Sequence, residues 1–161
     1  MTEAEITAFV HAYGPSDLER IRFNWNGKHA DALEDPNMEF RYAVCKHVVK
    51  DFTKASDLLI RDLYTELAKC SKQTWSVYNN FHLFAQELLD RGAAKYLLDY
   101  AEGAMQSFDT VLASGRVIVT DEQRGVIGSF IESELLTCSD ARKKALLEFA
   151  RGRFPEKKTN A

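Results

Sequence analysis

Two short stretches of the sequence combine a tryptophan with amide and cationic side chains. The first, FNWNGKH (residues 23–29), places Trp25 between two asparagines and ahead of a glycine, Lys28 and His29. The indole ring offers apolar contact area, and the neighbouring amides give hydrogen bonds a direction. The stretch predicts a binding loop. In the alternative interpretation, Trp25 packs between two helices and the Asn-Gly pair caps a helix C-terminus.

The second stretch is TWSVYNNFHLF (residues 74–84). In a helix, Trp75 and Asn79 would share a face with His82, and Tyr78 would also lie near His82. Buried Asn and His side chains need hydrogen-bond partners, so this mixture favours a groove or a rim over the deep core. A histidine that only satisfies the fold is the alternative for His82.

We therefore predict a groove lined by aromatic and polar side chains from both stretches. The candidate binding residues are Trp25, Lys28, His29, Trp75, Tyr78, Asn79 and His82.

Catalytic and metal-binding patterns are sparse. His29, Asp31 and Glu34 form an H-x-D-x-x-E pattern, but helix residues two apart face away from one another and no second histidine has a productive spacing. Cys45 and His47 are also two apart, so they do not form a local thiolate and base pair. The sequence contains no glycine-rich phosphate loop and no G-x-S-x-G elbow. We predict no catalytic residue, metal ligand or cofactor.

The composition is that of one globular domain with a slightly acidic balance. Of 161 residues, 45% are hydrophobic and 11% aromatic, which is enough to form a core. The 21 basic and 24 acidic side chains leave a net charge of −3, which provides no broad positive field for a phosphate backbone. We therefore expect another protein as the partner, and not nucleic acid.

Cysteine usage and hydropathy favour the cytoplasm. Cys45, Cys70 and Cys138 are odd in number and lie in or at the end of apolar helical stripes, which is typical of reduced core thiols. The first residues, MTEAEITAFVHAYG, show no basic lead and no apolar segment of signal-peptide length. No run of about 18 uncharged apolar residues occurs anywhere. We predict a cytoplasmic protein without a membrane span.

Apolar residues recur every three or four positions along most of the chain, which predicts an all-α protein. Capping boxes at Thr2-Glu5, Ser16-Glu19 and Thr120-Gln123 mark helix starts. About seven helices are expected in stacked antiparallel hairpins, as an α-solenoid or an irregular helical bundle. Residues 1–152 should form a single domain and 153–161 a flexible tail. The predicted helices include 16–27, 36–52, 56–70, 74–91, 94–113 and 140–152.

The stretch LEDPNMEF predicts a helix start at Pro36. Asp35 can accept a hydrogen bond from a first-turn amide, and Pro36 suits the first helical position because no amide proton is needed there. Glu39 then lies near the positive end of the helix dipole.

Two segments of the chain resemble one another. ELLDRGAAKYLLDYAEG (residues 87–103) aligns with ELLTCSDARKKALLEFARG (residues 134–152), with a turn two residues longer in the second copy. Similar helix-turn-helix units stacked side by side would explain this, because one hairpin cannot bury its own apolar face.

The stretch from Asp35 to Arg41, D-P-N-M-E-F-R, resembles the inter-helix turn of HEAT repeats. That resemblance implies that Asp35 caps the second helix of a pair and that Arg41 braces the neighbouring repeat. It covers one copy, since the other units lack this Asp-to-Arg spacing. In a rival register, residues 46–49 form a third copy of the Lys-x-Leu-Leu step, and the same helix becomes the first of a pair.

Stacked helical hairpins offer a long exposed surface, which favours binding of another protein. We expect an adaptor, a regulator or a toxin-neutralising module. The alternative is a HEAT-like enzyme that acts on an aromatic ligand, as alkylated-base DNA glycosylases and phycobilin lyases do. A DNA glycosylase of this kind would need a basic concave face, which the composition does not support.

Overall fold

The computed structural model describes residues 2–29 and 32–155, and this part of the chain forms α helices and no β-strand. The all-α prediction is confirmed. None of the helices in the described ranges is long and apolar enough to span a membrane. The described helices are α1 (Glu3–Ala12), α2 (Leu18–Ile21), α3 (Met38–Val48), α4 (Asp57–Thr74), α5 (Phe81–Gly92), α6 (Leu97–Ala104), α7 (Phe108–Ser114), α8 (Asp121–Thr137) and α9 (Ala141–Arg153).

Two of the predicted capping boxes are present. The backbone amide of Thr2 donates to the Glu5 carboxylate (2.6 Å), while the Glu5 amide donates to the Thr2 hydroxyl (3.3 Å). At the start of α8 the amide of Thr120 donates to the Gln123 side chain (2.8 Å), and the Gln123 amide donates to the Thr120 hydroxyl (3.1 Å). These bonds satisfy amides that have no partner inside the helix.

The predicted helix over 16–27 is wrong in length. A short 3₁₀ turn, Pro15–Asp17, leads into α2, which ends at Ile21, and the Gly14 amide bonds to Asp17 where a Ser16-Glu19 box was expected. Tertiary contacts end the helix, because the side chain of Asn37 donates to the carbonyl oxygens of Glu19 and Arg22. The following residues run to 29 as an irregular segment.

The segment before α3 is held by a buried ion pair. Arg41 Nη2 lies 2.7 Å from Asp35 Oδ2, and both side chains are fully buried. The Arg41 guanidinium also donates to the Ile21 carbonyl oxygen (3.3 Å) at the end of α2. Asp35 accepts the amide of Asn37 (3.1 Å), so the Asp-Pro-Asn sequence forms a turn. As a result α3 begins at Met38, two residues later than predicted, and ends at Val48.

Two further helix boundaries differ from the prediction. The expected helix over 94–113 is divided into α6 and α7, because the Ser107 hydroxyl accepts the Thr110 amide (3.1 Å) and caps a new helix. Helix α4 continues to Thr74, so Trp75 follows α4 and does not start α5.

The start of the predicted C-terminal tail is part of the folded structure. Phe154, assigned to the tail, is buried with its ring centroid 5.4 Å from that of Tyr100. Arg153, also assigned to the tail, is the last residue of α9, and residues 156–161 lie outside the described residues.

Helix α4 is the centre of the structure. It packs against α5, α6 and α7, while α9 packs on α6 and α8, and α1 on α3. Cys45 and Cys70 are buried free thiols, as predicted, and Cys138 is half-buried. The largest fully buried apolar side chains are Tyr64, Tyr100, Phe81, Phe84, Ile21, Leu59, Ile60, Leu63, Leu67, Leu88 and Leu89.

Candidate functional site

A groove of about 510 Å³ lies where the segment before α3 meets the C-terminal end of α4. Its volume falls within the range of pockets that hold small ligands or the anchoring side chain of a partner. Residues of the segment before α3 and of the C-terminal end of α4 form its two sides. The lining residues are His29, Leu33, Met38, Gln73, Thr74 and Trp75.

Trp75 is the most unusual residue of the groove. Its side chain is 86% exposed, although tryptophan is a large apolar residue. Its backbone is left-handed, with φ 55° and ψ 32°, a conformation that costs an L-residue about 1–2 kcal/mol. The Trp75 amide donates to the Ser71 carbonyl oxygen (3.2 Å), which closes the end of α4. The fold therefore holds an exposed indole at the groove by a conformation that glycine would adopt more easily.

The other tryptophan braces the loop on the opposite side of the groove. Trp25 Nε1 donates to the Lys28 carbonyl oxygen (2.6 Å), and the indole ring lies 4.8 Å from the His29 ring. His29 Nδ1 is 3.3 Å from the carbonyl oxygen of Gln73 in α4. The Asn-Gly pair forms a turn at Gly27 (φ 82°) within this loop, so the predicted alternative of a helix C-cap is wrong. Trp25 thus positions His29 against α4.

The structure does not bring the remaining candidates into the groove. Residues 75–80 form a loop, so Trp75 and Asn79 do not share a helix face with His82. The ring of Tyr78 lies 5.3 Å from that of Tyr42 and packs against the core. The half-buried His82 lies in the first turn of α5 and does not line the groove. Burial and the nearby Arg116 lower its pKa. Lys28 is exposed in the loop beside His29.

Leu33, Met38, Gln73 and Thr74 line the groove but were not predicted. Leu33 and Met38 are the apolar residues on either side of the Asp-Pro-Asn turn, which brings them to one surface. That flanking pattern was visible in the sequence. Gln73 and Thr74 were not identifiable, because only the packing of α4 against the loop brings them there.

The groove offers binding contacts and little chemistry. His29 is its one titratable ring, and the Thr74 hydroxyl already donates to the Cys70 carbonyl oxygen (3.0 Å). Within the described ranges no three His, Cys, Asp or Glu side chains are arranged to hold a metal ion. Asp31, the middle residue of the H-x-D-x-x-E pattern, lies outside those ranges. The arrangement can enclose an apolar or aromatic group and direct one hydrogen bond from His29.

No protein-family model, no curated protein and no solved structure matches this chain. Its function is therefore inferred from the groove and the surfaces around it.

Proposed function

We propose that this chain is a non-enzymatic protein-binding module, and that its partner inserts an apolar side chain into the groove beside Trp75. The observation that carries the proposal is the 86% exposed indole of Trp75, held in a left-handed backbone conformation at the groove. Exposure and backbone strain both oppose stability, which points to a role outside folding. Tryptophan is among the residues whose truncation most often costs an interface about 2 kcal/mol or more.

The adaptor, regulator or toxin-neutralising role rests on the arrangement of the helices, which we propose is an irregular relative of the HEAT-like stack. Two features support this relation. Asp35 and Arg41 form a buried ion pair, and the similar hairpins α5–α6 and α8–α9 pack through α6 and α9. One feature departs from it, since Arg41 bonds to the end of α2, the helix directly before its own.

The second candidate is a site for a small aromatic ligand, the class expected for the enzyme alternative. The groove volume of about 510 Å³ favours it, because that volume is typical of ligand pockets. Such a ligand would stack on Trp75 and bond to His29. A protein partner and a dialysable ligand are distinguishable by fractionating the native lysate.

Trp75→Gly tests the proposal. Glycine adopts the left-handed conformation without strain, so we expect the free energy of unfolding to rise by about 0.5–1 kcal/mol. If Trp75 anchors a partner, the same change should abolish capture of that partner by a photo-crosslinker placed at His29. Thermal melts and crosslinking in dialysed native lysate measure the two effects. The control is Leu136→Ser. Leu136 is another exposed large apolar residue, and it lies in α8.

The proposal predicts that Leu136→Ser captures the same proteins as the wild type. Equal capture by Trp75→Gly would contradict a role for the indole. The Trp25→Phe variant leaves Trp75 as the fluorescent tryptophan. If the dialysable fraction of the lysate shifts its emission and the dialysed proteins do not, the small-ligand candidate is favoured.

A further inference from the structure

Helix α7 carries its apolar face outward. Phe108 is 75% exposed and Leu112 is 57% exposed, while Thr110 and Ser114 are fully buried. A surface helix usually has the opposite arrangement, with apolar residues toward the core and hydroxyls toward solvent. Val111 is also exposed, so three large apolar side chains at spacings of three and four residues form one exposed stripe. We call Phe108, Val111 and Leu112 the α7 face.

The orientation of α7 is fixed by hydrogen bonds on its inner side. The Thr110 hydroxyl donates to the Ala104 carbonyl oxygen (2.9 Å), and the Ser114 hydroxyl lies 3.2 Å from the Tyr64 hydroxyl. The Tyr100 hydroxyl donates to the Ser114 carbonyl oxygen (3.1 Å). Turning α7 to bury Phe108 would break these bonds and leave buried polar groups unpaired. The exposed apolar stripe is therefore a built-in feature of the fold.

Opposite charges lie at the two ends of the α7 face. Asp109 is in the first turn of α7, and Arg116 lies two residues beyond its last residue, Ser114. The Gly115 amide donates to the Val111 carbonyl oxygen and the Arg116 amide to that of Ala113, so the helical turn continues through Arg116. Residues seven apart lie two turns apart on the same edge of a helix. Within the described ranges, neither Asp109 nor Arg116 forms an ion pair.

We propose that the α7 face is a self-association surface that packs against α7 of a second copy of this chain, antiparallel about a twofold axis. Such an axis places the same edge of both helices side by side, running in opposite directions. With the axis between positions 112 and 113, Asp109 of each copy faces Arg116 of the other. The apolar stripes of the two copies meet between these ion pairs.

A second copy is the occupant that this charge pattern fits. The face carries one negative and one positive end on a single edge, so its complement is the same pattern reversed, which the twofold operation supplies. The helix dipoles of the two antiparallel helices also oppose one another favourably. This inference concerns a different surface from the groove and does not depend on the proposed function.

The expected dimer is weak, because three apolar side chains form a small interface. Sedimentation of the purified chain should show its mean mass rising between roughly 10 µM and 1 mM protein. Phe108→Ser and Leu112→Ser should keep the chain monomeric over that range. Leu136→Ser, which removes an even more exposed leucine on α8, should dimerise like the wild type. Trp75→Gly should also dimerise, which separates this surface from the groove.

Charge reversal tests the antiparallel register. Asp109→Arg alone and Arg116→Asp alone each place like charges opposite one another twice, so each variant should dimerise at least about tenfold more weakly. An equimolar mixture of the two variants pairs every charge correctly and should recover the wild-type association. Circular dichroism confirms that each variant is folded before it is compared.

A wild-type chain that stays monomeric throughout this range overturns the proposal, as does a dimer that survives Phe108→Ser. A mixture of the two charge variants that associates no better than either alone rules out the antiparallel register. Binding of another protein to the α7 face of a monomeric chain would assign the face to a different occupant.

Discussion

The α5–α6 hairpin and the α8–α9 hairpin share a sequence pattern but not an environment. Both contain Glu-Leu-Leu at the end of the first helix and Lys-x-Leu-Leu-x-x-Ala-x-Gly in the second. Leu88 and Leu89 are fully buried, whereas the matching Leu135 is half-buried and Leu136 is 87% exposed. The first hairpin packs on α4, while α8 packs on α9 and α9 packs on α6. The position of a hairpin around α4, and not its own sequence, decides what it buries.

The largest expected difference concerns the matching leucines. Leu89→Ala removes a fully buried side chain and should lower the free energy of unfolding by about 2–5 kcal/mol. Leu136→Ala removes a side chain that is mostly in solvent, so we expect a change within about 0.5 kcal/mol. Urea unfolding of both variants measures the pair. Equal losses would mean that the second hairpin is as tightly packed as the first.

The matching glycines should respond with opposite signs. A Cβ at Gly103 would lie 2.3 Å from the Tyr64 ring, so Gly103→Ala should cost about 1–3 kcal/mol of stability through overpacking. A Cβ at Gly152 would meet nothing within 4 Å, so Gly152→Ala should stabilise α9 by up to about 1 kcal/mol. Thermal melts of the two variants measure both changes in stability. Destabilisation by Gly152→Ala would place that face of α9 against another surface.

The aromatic pair Tyr100 and Phe149 should show a smaller difference. The Tyr100 hydroxyl donates to the Ser114 carbonyl oxygen, so Tyr100→Phe leaves a buried acceptor without that bond and should cost about 1–2 kcal/mol. Phe149 is half-buried, and the hydroxyl added by Phe149→Tyr can reach solvent. We expect that change to stay within about 0.5 kcal/mol. Denaturant unfolding measures both variants. If Tyr100→Phe leaves the free energy of unfolding unchanged, the hydrogen bond contributes nothing to stability.

The lysine pair should show the smallest effect, and it adds a pH dependence. Asp57 at the start of α4 accepts hydrogen bonds from Tyr96, Lys95 and Arg91, which together lower its pKa to about 2. Lys95→Ala should therefore lower the stability only slightly at neutral pH. Lys144, its counterpart in α9, is exposed and forms no ion pair within the described ranges, so Lys144→Ala should have no measurable effect.

Because folding lowers the pKa of Asp57, its contribution is present at neutral pH and is lost as the pH falls from 3.8 towards about 2. Asp57→Asn should be less stable than the wild type at neutral pH, and this difference should shrink over that range. Unfolding measured at a series of pH values follows it. A constant difference would assign the effect of Asp57→Asn to something other than titration.

Part of the candidate site was predictable because it depends on short stretches. Trp25, His29 and Trp75 were selected for aromatic rings beside polar groups, and the structure places His29 and Trp75 in the groove with Trp25 supporting the loop. Tyr78 and His82 were selected by helical spacing, which does not apply, because α4 ends at Thr74 and a loop follows. Trp75 ends α4 in a left-handed backbone conformation, which the helical spacing of the sequence did not indicate.

The sequence by itself determined the all-α class, the caps of α1 and α8, and the Asp35–Arg41 turn, since each depends on residues a few positions apart. Only the tertiary structure decided which leucine and glycine of the repeated pattern are buried, and why α7 faces Phe108 outward. The hydrogen bond between the Tyr64 and Ser114 hydroxyls, and the one that the Tyr100 hydroxyl donates to the Ser114 carbonyl oxygen, fix that orientation. Identical residues have different roles in the two hairpins because burial depends on neighbours that are distant in the chain.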